Sequence, residues 1–162
     1  NLEIDDDINL IKVETAEEMF KATQKNLPTD IAIFSAAVAD YRINKKNYNK
    51  LKKQENLTLN LEQNIDILRY VSNHNSMRPK LVIGFAAETS DLNNNAISKL
   101  NNKNCDWIIA NDVSKKNIGF NSDYNEVTIH YKDTLNKKEK LSFKKKSEIS
   151  EEIVDRITSR IN

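Results

Sequence analysis

The chain has 162 residues, 38% hydrophobic and 30% charged, which suffices for one domain with a core and excludes a disordered chain. A net charge of +1 supplies no global field toward nucleic acid or an anionic membrane, and no apolar run approaches the ~20 residues that span a bilayer. The single cysteine, Cys105, excludes an internal disulfide and points to the cytoplasm, while only two glycines, Gly84 and Gly119, exclude a glycine-rich phosphate loop within this sequence.

In chain order, "INLIKV" (8–13) predicts a short strand. Thr15 followed by Glu18 is a capping-box pattern that opens a helix through about Gln24, with Ala16, Met19, Phe20 and Ala22 as its apolar positions. After Pro28 and Asp30, "IAIFSAAV" (31–38) is the near-continuous apolar run of a strand buried on both faces. "KLKKQENLTLNLE" (50–62) alternates and predicts an exposed hairpin, a flap spanning about 45–62. Asp66 to about Asn75 predicts a short helix with Ile67, Leu68 and Val71 inward. "KLVIGFAAET" (80–89) and "CDWIIANDV" (105–113) predict two further buried strands around a helix from Asp91 to Lys103. Alternating strands near Glu126–Tyr131 and Lys140–Lys144 precede a terminal helix capped by Ser147 or Ser150. The lysine-rich "NKKEKLSFKKK" (136–146) alternates as a strand does, and lysines on an edge strand guard against unwanted pairing; that outweighs a nucleic-acid patch. Buried strands alternating with helices predict an α/β fold around a parallel sheet.

Ligands of open parallel sheets bind beyond the carboxyl ends of the strands. Three strands here end alike, in "SAAVAD", "GFAAET" and "IIANDV". Small side chains at a strand end let a ligand reach backbone N–H and C=O groups, although at one strand alone they also serve close helix packing. Lys99 and Lys103 stand four apart on a helix, where like charges repel and a compensating anion is favoured over two solvated amines only if a site is present. Asp40 suits a ligand N–H or a cation; Asp66 suits magnesium or the cap of its own helix. Lys50, Lys52 and Lys53 on the flap either cover polyphosphate or decorate an exposed hairpin. His74, at a helix end, and His130, on an edge strand, lack partners at metal-ligand spacing, and Cys105 is expected to be buried and inert.

The segments "AAVADYR", "KLKK", "NIDIL", "GFAAET", "ANDV" and "GFNSDYNEV", in this order and spacing, resemble bacterial phosphopantothenoylcysteine synthetase, the ligase half of the bifunctional coenzyme A biosynthesis protein. The resemblance runs from about Thr15 to the final helix. It implies a Rossmann-like three-layer α/β ligase with a small flap hairpin and a C-terminal antiparallel strand pair, working as a homodimer. The family activates 4′-phosphopantothenate with CTP and Mg²⁺, giving an acyl-cytidylate and pyrophosphate, after which the amine of L-cysteine displaces CMP. Transferred residue by residue, the CTP site comprises Phe34, Ser35, Ala36, Asp40, Lys50, Ile65, Asp66, Ile67, Leu68, Phe85, Lys99 and Lys103. Lys50 takes the catalytic role of closing over the reacting phosphates, and Asp66 that of metal ligand.

Two departures qualify the likeness. Ile65 stands where the family has proline. The family domain also begins with a glycine-rich strand–loop–helix segment, so residues 1–162 are expected to form one N-terminally truncated ligase domain, inactive alone or completed by a separate N-terminal or decarboxylase chain. The alternative is a nucleotide-binding or partner-complementing fragment without catalysis of its own. Neither nucleic acid nor membrane is an expected partner.

Overall fold

The computed structural model describes residues 6–44, 56–114, 122–133 and 137–161. The capping box forms as the sequence predicts: the Thr15 hydroxyl accepts from the Glu18 N–H, the Glu18 carboxylate accepts from the Thr15 N–H, and helix α1 (Ala16–Lys25) follows. Strand β1 (Ile31–Phe34) leads to a two-stranded antiparallel ribbon of β2 (Tyr41–Ile43) and β3 (Leu61–Gln63). Next come α2 (Ile67–Ser72), β4 (Leu81–Glu88), α3 (Leu92–Lys103) and β5 (Trp107–Asp112). Two long strands, β6 (Tyr124–Tyr131) and β7 (Lys138–Lys145), and the terminal helix α4 (Lys146–Ile161) complete the chain.

The main sheet has the order β1-β4-β5-β6-β7. β1, β4 and β5 run parallel, and β6 and β7 continue the sheet antiparallel, so the fold is α/β with the expected C-terminal strand pair. Alternation along the strands divides the core between two faces. On one face Leu81, Ile83, Trp107, Ile109, Val127, Ile129 and Leu141 pack under Ile149, Ile153 and Ile157, spaced by four along α4. On the other, Val82, Ala86, Ile108 and Ala110 meet Ala96 and Leu100 of α3, with Leu68 of α2 and Phe34 alongside. Helices therefore cover both faces, giving three layers. Among the described residues no helix is long and apolar enough to cross a membrane.

Several expectations change against the structure. Residues 8–13 form no strand: they pair with none of the described strands, and Ile8, Leu10 and Ile11 are exposed. β1 ends at Phe34 and is not buried on both faces; it is an edge of the sheet, paired only with β4 among the described strands, and Ile33 is 51% exposed. Of the flap, residues 56–62 are described: Leu61 and Glu62 pair back to Ile43 and Arg42 in the ribbon of β2 and β3, and residues 45–55 lie outside the described residues. α4 begins directly after β7, so neither Ser147 nor Ser150 caps it: the Ser150 hydroxyl donates to the Ser147 carbonyl inside the helix, and Glu148 accepts from the Lys145 N–H at the start. The predicted edge role of the lysine-rich stretch holds, and two of its amines are paired, Lys140 with Glu126 and Lys144 with Glu152. His130 is not on an edge strand. It is buried in β6 between β5 and β7, with Nε2 unsatisfied. Cys105 is buried as expected, and desolvation pushes its thiol up to about 11.

Candidate active site

A cavity of about 570 Å³ opens at the carboxyl ends of β1 and β4, within the size range of small-molecule sites. Phe34, Ser35, Ala36 and Asp40 approach it from the segment after β1, and Ile65, Asp66, Ile67 and Leu68 from the turn into α2. Phe85 comes from β4, and Lys99 and Lys103 from α3. Every residue transferred to the CTP site lines this one cavity except Lys50, which lies outside the described residues.

The local chemistry explains how these pieces meet. β1 loses its side-chain bulk at Ser35 and Ala36, which are exposed and leave backbone accessible at the cavity. The chain is then tethered by Asn64: its backbone N–H donates to the Asp40 carbonyl at 2.8 Å, and its side-chain amide donates to the Ala39 carbonyl at 2.8 Å. Asp66 stops the ribbon and starts α2, its Oδ1 accepting from the Arg69 N–H at 3.0 Å, a helix cap in the ordinary sense. α2 lies directly on β4 because residue 84 is glycine. A Cβ there would fall 2.6 Å from Leu68 Cδ2 and 2.9 Å from Ile108 Cδ1.

Lys99 and Lys103 share one face of α3, and each already has a counter-charge. Lys103 pairs with Asp66 Oδ2, and Lys99 with Glu88 Oε1 at 2.6 Å. The repulsion expected between the two amines is thus met by protein carboxylates. Asp40 is exposed. Phe85 is 38% exposed, the first exposed residue after four buried ones in β4, and is well suited to packing against a ligand.

Magnesium fits the described donors only in company with phosphate. Asp66, the expected ligand, has Oδ1 on the helix cap and Oδ2 on Lys103, and among the described residues no three His, Cys, Asp or Glu side chains gather. Magnesium bound by one or two carboxylates and substrate oxygens needs no such group.

The sequence reading missed Asn64, Glu88 and the α1 wall formed by Met19 and Thr23. Glu88 had a signal, since it closes the "GFAAET" strand where the small residues stop. Asn64 and α1 had none, because they reach the cavity only through the tertiary fold.

The family model for the DNA/pantothenate metabolism flavoprotein C-terminal domain matches residues 1–161. The chain is 38% identical over 162 residues to the coenzyme A biosynthesis bifunctional protein CoaBC of Haemophilus influenzae, covering 99% of this chain and 39% of that protein. It is likewise 38% identical over 151 residues to CoaBC of Bacillus subtilis, covering 92% of this chain and 36% of that protein. The chain thus spans somewhat under two fifths of the length of these curated relatives. Among solved structures, the C-terminal domain of a CoaBC protein superimposes with a TM-score of 0.70 at 31% identity, over 93% of this chain and 65% of that one.

Proposed function

Because the chain belongs to the DNA/pantothenate metabolism flavoprotein C-terminal domain family, we propose that it is a phosphopantothenate–cysteine ligase domain that uses CTP, acting in coenzyme A biosynthesis in the cytoplasm. The observation that supports this most is the convergence of Phe34–Ala36, Asp40, Ile65–Leu68, Phe85, Lys99 and Lys103, from separate elements, on one cavity.

In this reading the carboxylate of 4′-phosphopantothenate attacks the α-phosphorus of CTP. An acyl–phosphate bond forms, and the bond to the leaving pyrophosphate breaks. The cysteine amine then attacks the acyl carbon, the amide forms, and CMP leaves with the electron pair of the broken bond. No protein nucleophile is required; orientation and charge stabilisation supply the catalysis. Backbone groups near Ala36 and the Asp40 carboxylate read the polar edges of the nucleotide, and Phe85 packs against it. Lys99 and Lys103 pair with phosphate oxygens. Lys50 closes over the reacting phosphates, where its charge is most useful in the transition state. Magnesium, bound mainly through phosphate oxygens, would offset part of the triphosphate's negative charge. The homodimer expected of the family is favoured by an exposed alternating row, Tyr41, Ile43, Leu57, Leu59 and Leu61, that a second copy would cover.

Pyrophosphate release from the full-length polypeptide tests this reading. Release is expected only when CTP, 4′-phosphopantothenate and magnesium are all present, with phosphopantothenoylcysteine accumulating once L-cysteine is added. Release that proceeds equally with any nucleotide, or none under any combination, contradicts it.

A further inference from the structure

Glu88 does not line the cavity, yet it meets the lysine that does. Its side chain is only 14% exposed, whereas that of Lys99 is 43% exposed. Oε1 is sealed from solvent and faces the Lys99 ammonium at 2.6 Å, held there by charge and not by a well-aligned hydrogen bond. Oε2 accepts from the Asn95 side-chain amide at 3.2 Å, and that amide also donates to the Ser90 carbonyl at 2.9 Å. The carboxylate is therefore fixed twice, by its place near the end of β4 and by a residue one turn before Lys99 on α3.

An ammonium carries three donors, and Glu88 occupies one side of it. A free lysine at a cavity wall has four rotatable side-chain bonds to immobilise before it can hold a phosphate, and that ordering costs affinity. Lys103 is treated differently, since its partner Asp66 is itself part of the wall and also caps α2.

We propose that Glu88, supported by Asn95, is a positioning residue that holds the Lys99 ammonium in place as a phosphate-binding group of the cavity. The proposal rests on the reading of Lys99 as a phosphate-binding residue. It makes a prediction of sign. If Glu88 acted only as a nearby negative charge, removing it would strengthen anion binding; as an anchor, its removal weakens it.

The test titrates inorganic tripolyphosphate, CTP and cytidine into the parent chain and into Glu88→Gln, Asn95→Ala, Lys99→Ala and the Glu88→Gln/Lys99→Ala double variant, with thermal midpoints confirming that each is folded. Glu88→Gln is expected to weaken tripolyphosphate and CTP about five-fold, within the range set by immobilising one long side chain, and to leave cytidine within two-fold. Asn95→Ala, which keeps both charges, should produce a smaller loss in the same direction. In the Lys99→Ala background Glu88→Gln should add nothing. Tripolyphosphate binding that is unchanged or tighter in Glu88→Gln, losses that simply add in the double variant, or no affinity of the parent for tripolyphosphate would each overturn the proposal. Should the expected pattern appear with tripolyphosphate while CTP binds no better than tripolyphosphate, the anchor stands and the cytidine-nucleotide reading falls.

Discussion

His130 shows how a single buried side chain can set a pH response. It sits inside a three-strand stretch of the sheet, 3% exposed, with Nε2 lacking a hydrogen-bond partner. Burial, and secondarily the charge of Lys138, hold its imidazole below the ordinary value of 6.5. Above that value the group is neutral in both folded and unfolded chains and exerts no pull. As pH falls below it, the unfolded chain binds a proton that the folded one resists, so stability declines until the folded imidazole titrates as well. Chemical denaturation between pH 7.5 and 5.5 should therefore show falling stability in the parent and a flatter dependence in His130→Phe; equal slopes would contradict this. Gly84 is the opposite kind of residue, one whose value lies in having no side chain. Leu68 lies 2.6 Å from where a Cβ would stand, which gives the glycine a packing reason that its place in "GFAAET" alone could not reveal.

Secondary-structure elements here are joined at their ends as much as along their faces. Arg78 precedes β4 and ties together four pieces at the end of the sheet opposite the cavity. Its Nε donates to the Ser72 carbonyl at 2.8 Å, its Nη1 to the Pro79 carbonyl at 3.0 Å, and its Nη2 to the Asn104 carbonyl and to both Asp106 oxygens. Asp106 in turn accepts from the Val82 N–H at 2.7 Å. The C-terminal ends of α2 and α3 and the starts of β4 and β5 thus meet on one guanidinium. Arg78→Met would leave the Ser72 and Asn104 carbonyls and the Asp106 carboxylate without it, and should lower stability by about 2–3 kcal/mol. Arg78→Lys should recover little of this, because an ammonium cannot reproduce the planar fork. A loss under about 0.5 kcal/mol in denaturant titrations would contradict this role. The elements themselves were legible wherever local chemistry dominated: Thr15 with Glu18 marks the start of α1, and the apolar runs mark β4 and β5. They were misread where pairing decided. "INLIKV" has the composition of a strand but pairs with none of the described strands, and the alternation of 57–63 could not announce that its partner would be Tyr41–Ile43. Arg78 gave no signal, since its partners lie as far as 28 residues away.

For the molecule as a whole, a net charge of +1 conceals an ordered distribution at the cavity. Two lysines line the cavity, each backed by a carboxylate, and apolar Ile33, Leu68 and Phe85 are among the other residues of its wall. The strand-end part of the site could be read from sequence because a loss of bulk at the ends of "IAIFSAAV" and "KLVIGFAAET" is visible residue by residue. Its electrostatics could not: the spacing of Lys99 and Lys103 left a compensating anion and two solvated amines both open, and only the fold supplied Glu88 and Asp66 as their partners. The most direct measurement is calorimetric titration of CTP and of cytidine into the parent chain and into the Lys99→Ala/Lys103→Ala double variant. CTP should bind the parent with measurable heat and lose at least ten-fold in affinity in the double variant, while cytidine changes by less than two-fold. No heat of association with CTP in the folded parent, or equal losses for CTP and cytidine, would contradict a triphosphate held at the ends of β1 and β4 by these two lysines.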